Sequence, residues 1–168
     1  LPSRSKATAR ILVIYNADGS RAEMCGNGLR AAPYYLGMAP HFGSAGRAAQ
    51  VGVRVREIIF ETDAGPRMAR NFGDGIIECS MGIPKISAPP ASAPSMVSIC
   101  VNVGNPHAVV FKHPTSKMKI AEWGSAIETH RSFPRGTNVE FVRVRGASAL
   151  EVLVWERGVG ETEACGTG

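Results

Sequence analysis

Apolar and polar positions along this chain follow mostly a period of two. The runs ILVIY (11–15), VGVRVREIIF (51–60), GIIECSMGI (75–83), MVSICVNV (96–103), HAVVF (107–111), NVEFVRVR (138–145) and ALEVLVW (149–155) are rich in β-branched residues. Each is bounded by Gly, Pro or Asn, the mark of a strand. Helical signals are fewer. GLRAAPYYLG (28–37) reads as one helix, and MKIAEWGSAIETH (118–130) sets Ile120, Trp123, Ile127 and His130 at helical spacing. These four read as core. Proline in a helix interior costs about 3 kcal/mol or more, because it removes an N–H and crowds the preceding turn. The first helix is therefore expected to kink or to restart at Pro33. The stretch SAPPASAPS (87–95) is the best linker. It predicts two mainly-β parts, 1–90 and 91–168.

Each part carries one copy of the same turn. AEMCGNG (22–28) and TEACGTG (162–168) share Glu-x-Cys-Gly-x-Gly, and 140 positions separate both Cys25 from Cys165 and Glu23 from Glu163. The register runs back without a gap, so that Ile14–Gly28 lies over Val154–Gly168 and Asn16 over Glu156. Four of the fifteen aligned positions are identical, and they are the Glu, the Cys and both Gly. Internal self-similarity of this kind can decide an architecture. It predicts two related lobes, each presenting one cysteine.

Composition narrows the class. The chain is 44% hydrophobic and 20% charged, ordinary for a globular protein. No apolar run approaches the ~20 residues of a membrane-spanning helix, so no membrane partner is expected. The net charge of +5 is spread out, densest at Arg47, Arg54, Arg56, Arg67 and Arg70. Arg54 and Arg56 alternate with Val51, Val53 and Val55, the pattern of a strand's wet face. With no aromatic platform beside the charges, no nucleic-acid partner is expected. Four cysteines without C-x-x-C pairs suggest neither a disulfide scaffold nor a metal site. Cys79 and Cys100 lie in apolar runs and read as small core residues, which leaves Cys25 and Cys165 in glycine-rich turns.

Glycines after a cysteine let backbone N–H groups approach a bound group, and a helix N-terminus favours carboxylates and thiolates. Two such turns in related lobes point to two sulfurs acting on one substrate. A thiolate on one side takes a proton from carbon, and a thiol on the other returns one to the opposite face, which inverts a stereocentre.

NADGSRAEMCGNG (16–28) and ERGVGETEACGTG (156–168) closely resemble the two signature regions of diaminopimelate epimerases. The resemblance continues through GNPHAVVF (104–111) and RSFPRGTNVEFVRV (131–144), and more loosely through DAGPRMARNFGDGIIECSMGIPK (63–85). It implies an α+β, mainly-β fold of two pseudo-symmetric lobes, each a barrel-like sheet around a central helix. It implies a cofactor-free isomerase that converts LL- to meso-diaminopimelate on the route to lysine and peptidoglycan. Cys25 and Cys165 match the catalytic pair. Gly26 and Asn27, with Gly166 and Thr167, match the backbone cradles for the carboxylate at the reacting carbon. Asn16, Asn105, Asn138, Glu156 and Arg157 match substrate-binding positions, chiefly for the distal end. His107 and Glu156 match residues that tune the thiols. The family further implies a homodimer and the bacterial cytoplasm.

The ends depart from that pattern. Family members carry a GLGNDF-like turn before the first strand, a later Gln contact, and a helix and strands after the second cysteine. The chain therefore reads as an internal fragment, impaired on its own. LPSRSKATAR is basic and free of acids, as a transit-peptide remnant is, so the plastid stroma is the lesser expectation. Two other functions fit the cysteine pair. One is a proline-racemase-like or phenazine-pathway-like isomerase on the same fold, although proline racemases usually carry His where this chain has Asn27. The other is a non-catalytic binding or redox protein with a switchable dithiol.

Overall fold

A computed structural model of the chain describes residues 8–38, 56–72, 75–163 and 165–168. Residues 51–55 of the expected strand 51–60, with Arg47 and Arg54, lie outside them. The chain divides into two compact units. The first is Leu1–Ile14 with Ala22–Gly82, and the second is Tyr15–Arg21 with Ile83–Gly168. The expected lobes meet at 90/91, whereas the units divide at Gly82/Ile83. The difference arises because Lys85–Ser87 pairs with Ile99–Asn102, so the Pro- and Ser-rich stretch loops inside the second unit.

In the first unit β1 (Thr8–Ile11), β4 (Arg56–Thr62), β5 (Gly65–Asn71) and β6 (Ile77–Cys79) form one sheet in the order β1-β4-β5-β6. β1 runs parallel to β4, and the other pairs are antiparallel. The β4–β5 turn is held by Thr62, whose hydroxyl donates to Gly65 O at 2.7 Å. Gly65 sits at φ +91, a conformation open to glycine at little cost. The short strands β2 (Ile14–Tyr15) and β3 (Arg21–Ala22) form a separate hairpin. Helix α1 (Gly26–Met38) lays Leu29, Ala32 and Leu36 against Phe60, Ile58, Ala69 and Cys79, which explains why those helix positions are apolar.

α1 neither breaks nor restarts at Pro33, which lies buried inside it. Pro33 brings no N–H to Leu29 O, and that carbonyl instead lies 3.5 Å from the Cys79 thiol, which donates to it. The carbonyl of Pro33 itself accepts from Asn71 Nδ2 at 3.3 Å. Both bonds come from the sheet beneath the helix.

The second unit is a six-stranded sheet in the order β12-β11-β10-β9-β8-β7. Its strands are β7 (Lys85–Ser87), β8 (Ile99–Asn102), β9 (Pro106–Val110), β10 (Asn138–Gly146), β11 (Ala149–Glu156) and β12 (Gly160–Thr162). Only β9 and β10 are parallel, and α2 (Lys117–Glu128) connects them. Ser116 caps α2 by accepting Lys119 N–H at 3.3 Å. Ile120 and Ile127 of α2 join Val97, Ala108, Val110, Val139 and Phe141 in the core. Trp123 is half-buried beside them. His130, expected among these core positions, lies beyond the helix end and accepts Ser132 N–H. The class is therefore α+β and mainly β. Each sheet is open at both edges among the described residues, and each helix packs on the face of its sheet. Among those residues no helix is long and apolar enough to cross a membrane.

Candidate active site

Each signature turn sets a cysteine beside backbone amides. In the first unit Cys25 stands just before α1. Its carbonyl accepts Leu29 N–H at 2.9 Å, and its Sγ accepts Gly28 N–H at 3.4 Å. The thiol thus caps the helix as a serine would. Gly26 is buried, Cys25 half-buried and Asn27 exposed, with Asn27 Oδ1 accepting from Arg30 Nη2 at 2.5 Å. In the second unit Cys165 follows β12. The backbone amides of Thr167 and Gly168 favour its thiolate. Gly28 and Gly168 are each three residues past their cysteine: the first amide bonds to the Cys25 sulfur and the second favours the Cys165 thiolate.

Around Cys165 the second unit gathers most of the residues that the motifs single out. Cys165 Sγ and Thr167 Oγ1 are 3.3 Å apart. Asn105 Nδ2 donates to Thr167 Oγ1 at 3.2 Å, and Asn105 Oδ1 lies 3.0 Å from His107 Nε2. Glu156 Oε1 accepts from Thr162 Oγ1 at 2.6 Å across the β11–β12 hairpin. The Asn138 side chain accepts Arg157 N–H at 3.0 Å and donates to Pro106 O at 2.9 Å. That amide locks the GNPH turn to the ERG turn. Arg157 lays its aliphatic stem over Gly136 and donates to Arg135 O at 3.0 Å. Asn16 lies on the hairpin tip assigned to this unit, bonded to Ser20 Oγ at 3.0 Å. Two residues on, Asp18 reaches Gly158: a Cβ there would stand 2.7 Å from Asp18 Oδ2. Cys25, Gly26 and Asn27 belong to the first unit.

Burial pushes the Cys165 thiol above its ordinary value. The Thr167 hydroxyl and amide oppose that, the negative charge of Glu156 adds to it, and the Gly168 amide opposes it. Desolvation wins because a thiolate loses more by leaving water than these partners return. Burial also raises Cys79 and Cys100. Both are half-buried, not the fully buried core residues that their apolar runs suggest.

Sequence reasoning missed Glu140. It is 4% exposed in the centre of the sheet, and its Oε1 lies 2.6 Å from His107 Nδ1. In NVEFVRVR it looks like the polar member of an alternating strand. The signal that could have marked it is its phase, since Glu140 shares a strand face with Asn138 of the same motif.

A sequence profile described as diaminopimelate epimerase matches residues 99–168. The chain is 38% identical to the diaminopimelate epimerase of Thermosynechococcus vestitus over 92% of its own length and 58% of the relative's. It is 37% identical to that of Carboxydothermus hydrogenoformans over 100% and 62%. The chain thus spans about three-fifths of the length of the curated relatives it matches. Among solved structures, a probable proline racemase from Agrobacterium radiobacter superposes with TM-score 0.64 at 15% identity, over 99% of this chain and 55% of that one. A hydroxyproline epimerase from Agrobacterium vitis gives 0.64 at 16%, with the same coverage. At those identities the likeness is one of fold. The sequence relatives add to it a likeness in sequence, and over nearly its whole length the chain is similar to diaminopimelate epimerases.

Proposed function

We propose that the protein interconverts LL- and meso-2,6-diaminopimelate without a cofactor, with Cys25 and Cys165 as the acid–base pair. The observation that carries this is the repeated Cys-Gly-x-Gly turn, in which the glycine amide three residues on bonds to the Cys25 sulfur and favours the thiolate of Cys165. A thiolate held this way is a base, and a thiol held this way is an acid, so one local design suits both halves of a two-proton reaction. The backbone at Gly26, Asn27, Gly166 and Thr167 receives the carboxylate of the reacting carbon. Asn16, Asn105, Asn138, Glu156 and Arg157 serve the distal amino and carboxylate groups, where the Arg157 guanidinium offers a planar fork. His107 and Glu156 tune the thiols. The reading includes a homodimer, the bacterial cytoplasm and a role in lysine and peptidoglycan precursor synthesis.

The test is solvent deuterium entering the α-position of diaminopimelate. We expect exchange with inversion when both cysteines are intact, no inversion in Cys25→Ser or Cys165→Ser, and no exchange in the double serine variant. Exchange that persists in the double serine variant rejects the mechanism. The shared fold with a proline racemase and a hydroxyproline epimerase supports one other substrate class, cyclic imino acids. Proline assayed beside diaminopimelate separates the two. A dithiol switch without catalysis would give a reversible disulfide and no exchange with either compound.

A further inference from the structure

The Cys165 sulfur terminates a hydrogen-bonded chain that starts at the buried carboxylate of Glu140. Glu140 Oε1 lies 2.6 Å from His107 Nδ1, and the two side chains are 5% and 3% exposed. Glu140 Oε2 is buried with no hydrogen-bond partner among the described residues, so His107 is the bond that holds this carboxylate in the sheet. A carboxylate only accepts, and Nδ1 must therefore carry a proton. The other ring nitrogen, Nε2, faces Asn105 Oδ1 at 3.0 Å, which also only accepts. With an acceptor on each side, both ring nitrogens are placed to donate. Direction then propagates. Asn105 Nδ2 donates to Thr167 Oγ1 at 3.2 Å. With its oxygen accepting from Asn105, the Thr167 hydroxyl can turn its hydrogen on Cys165 Sγ, 3.3 Å away.

We propose that Glu140 is a positioning residue of the Cys165 site: its carboxylate holds His107 as a donor at both ring nitrogens and so directs the Thr167 hydroxyl onto the Cys165 sulfur. The value of this to catalysis rests on the epimerase reading above. The charged and titratable groups that face the chain are Glu140 from β10, His107 from β9 and Glu156 from β11. Lys85 from β7 borders the cavity of about 290 Å³ that His107 also lines. Glu140 is close to the sulfur's own turn: a Cβ at Gly168 would stand 3.1 Å from Glu140 Oε1 and 3.2 Å from Cys165 Cβ. By its field alone, a carboxylate so placed favours the neutral thiol. Acting through the chain, it favours the thiolate. The two effects give opposite signs when the charge is removed.

The rate of Cys165 alkylation by iodoacetamide, resolved by peptide mass spectrometry at fixed pH, reads the thiolate fraction. We expect Glu140→Gln to slow it about tenfold, the effect of one pKa unit. Thr167→Val should slow it similarly, and the double variant should be no slower than Thr167→Val alone. Nitrogen-15 spectra of His107 in the unaltered protein at neutral pH should show both ring nitrogens protonated. Faster or unchanged alkylation in Glu140→Gln overturns the proposal, and so does additive slowing in the double variant. If Glu140→Gln does not fold, Thr167→Val and the His107 spectrum decide: unchanged alkylation in the one, or a single ring N–H in the other, overturns it. None of these measurements uses substrate. A protein that shows the slowing but exchanges no α-proton loses the epimerase reading and keeps this one.

Discussion

The Cys79 thiol occupies the place of a missing helix N–H: its Sγ lies 3.5 Å from Leu29 O, the carbonyl that residue 33 would serve if it were not proline. Burial raises this thiol above its ordinary value, which keeps it protonated and able to donate. A buried carbonyl left without a donor costs about 1–3 kcal/mol, and the sheet supplies one from β6.

The first prediction follows directly. Cys79→Ala should destabilise the protein by about 1–2 kcal/mol through the orphaned carbonyl and the lost sulfur. In Pro33→Ala the helix regains its own N–H, so the same cysteine substitution should cost about 1 kcal/mol less there. Urea denaturation of the four proteins reads the difference. Equal costs in both backgrounds would show that the thiol does not substitute for the helix bond.

That pairing also marks how far the sequence could be read. The longer runs became strands because β-branched side chains fill pleated, half-buried surfaces, and HAVVF and ALEVLVW each match a strand to within a residue or two. GPRMARN was illegible as β5, since Pro66, Arg67, Arg70 and Asn71 hide its alternation. It forms because the Thr62–Gly65 turn folds it back on β4. KIS was illegible as β7 because three exposed residues carry no pattern. The cysteine turns were legible by repetition alone. Glu140 was not, because its meaning depends on register. Parallel pairing sets His107 beside Asn138 and Val109 beside Glu140, and only that offset brings the carboxylate to the imidazole. Pro33 depended likewise on Cys79, a contact between distant stretches of chain.

A second prediction concerns the seat of α2. Gly124 is buried under the Trp155 ring, and a Cβ there would stand 2.6 Å from Trp155 Cδ2. The indole is fixed from its other end, since Nε1 donates to Glu128 Oε2 at 2.6 Å. Glu128 also accepts Gly158 N–H at 2.8 Å, which ties the helix to the turn beside Arg157. Gly124→Ala should therefore cost about 1–3 kcal/mol by overpacking and shift the tryptophan emission. Thermal unfolding and fluorescence check it. An unchanged melting temperature would mean that the ring moves aside freely.

The third prediction sets two carboxylates against each other. Glu156 acts on Cys165 through its charge and opposes the thiolate. Glu156→Gln keeps an oxygen for Thr162 while removing that charge, so Cys165 should alkylate several-fold faster at a pH below its titration. This is the reverse of the slowing expected for Glu140→Gln. Two isosteric changes with opposite effects on one sulfur would separate a field from a directed bond. If both variants speed the reaction, charge alone governs the thiol.

The last prediction is a pH dependence. Cys79, Cys100 and Cys165 are all raised above the ordinary thiol value of 9.0, each by burial first. A raised thiol means that the folded chain prefers the neutral form more strongly than the unfolded chain does. That preference contributes stability in full below the unfolded value. It is lost as pH climbs from about 9 through the folded value, because the unfolded chain releases these protons first. The urea midpoint should therefore stay level through neutrality with respect to these groups and fall above pH 9. Cys100→Ala removes a thiol that burial alone shifts and should make the fall shallower. Cys79→Ala should do the same from a lower starting stability. The comparison of midpoints at pH 8 and pH 10 is the measurement. A fall of the same depth in Cys100→Ala would assign the alkaline loss to other groups, such as the lysines that titrate near 10.4.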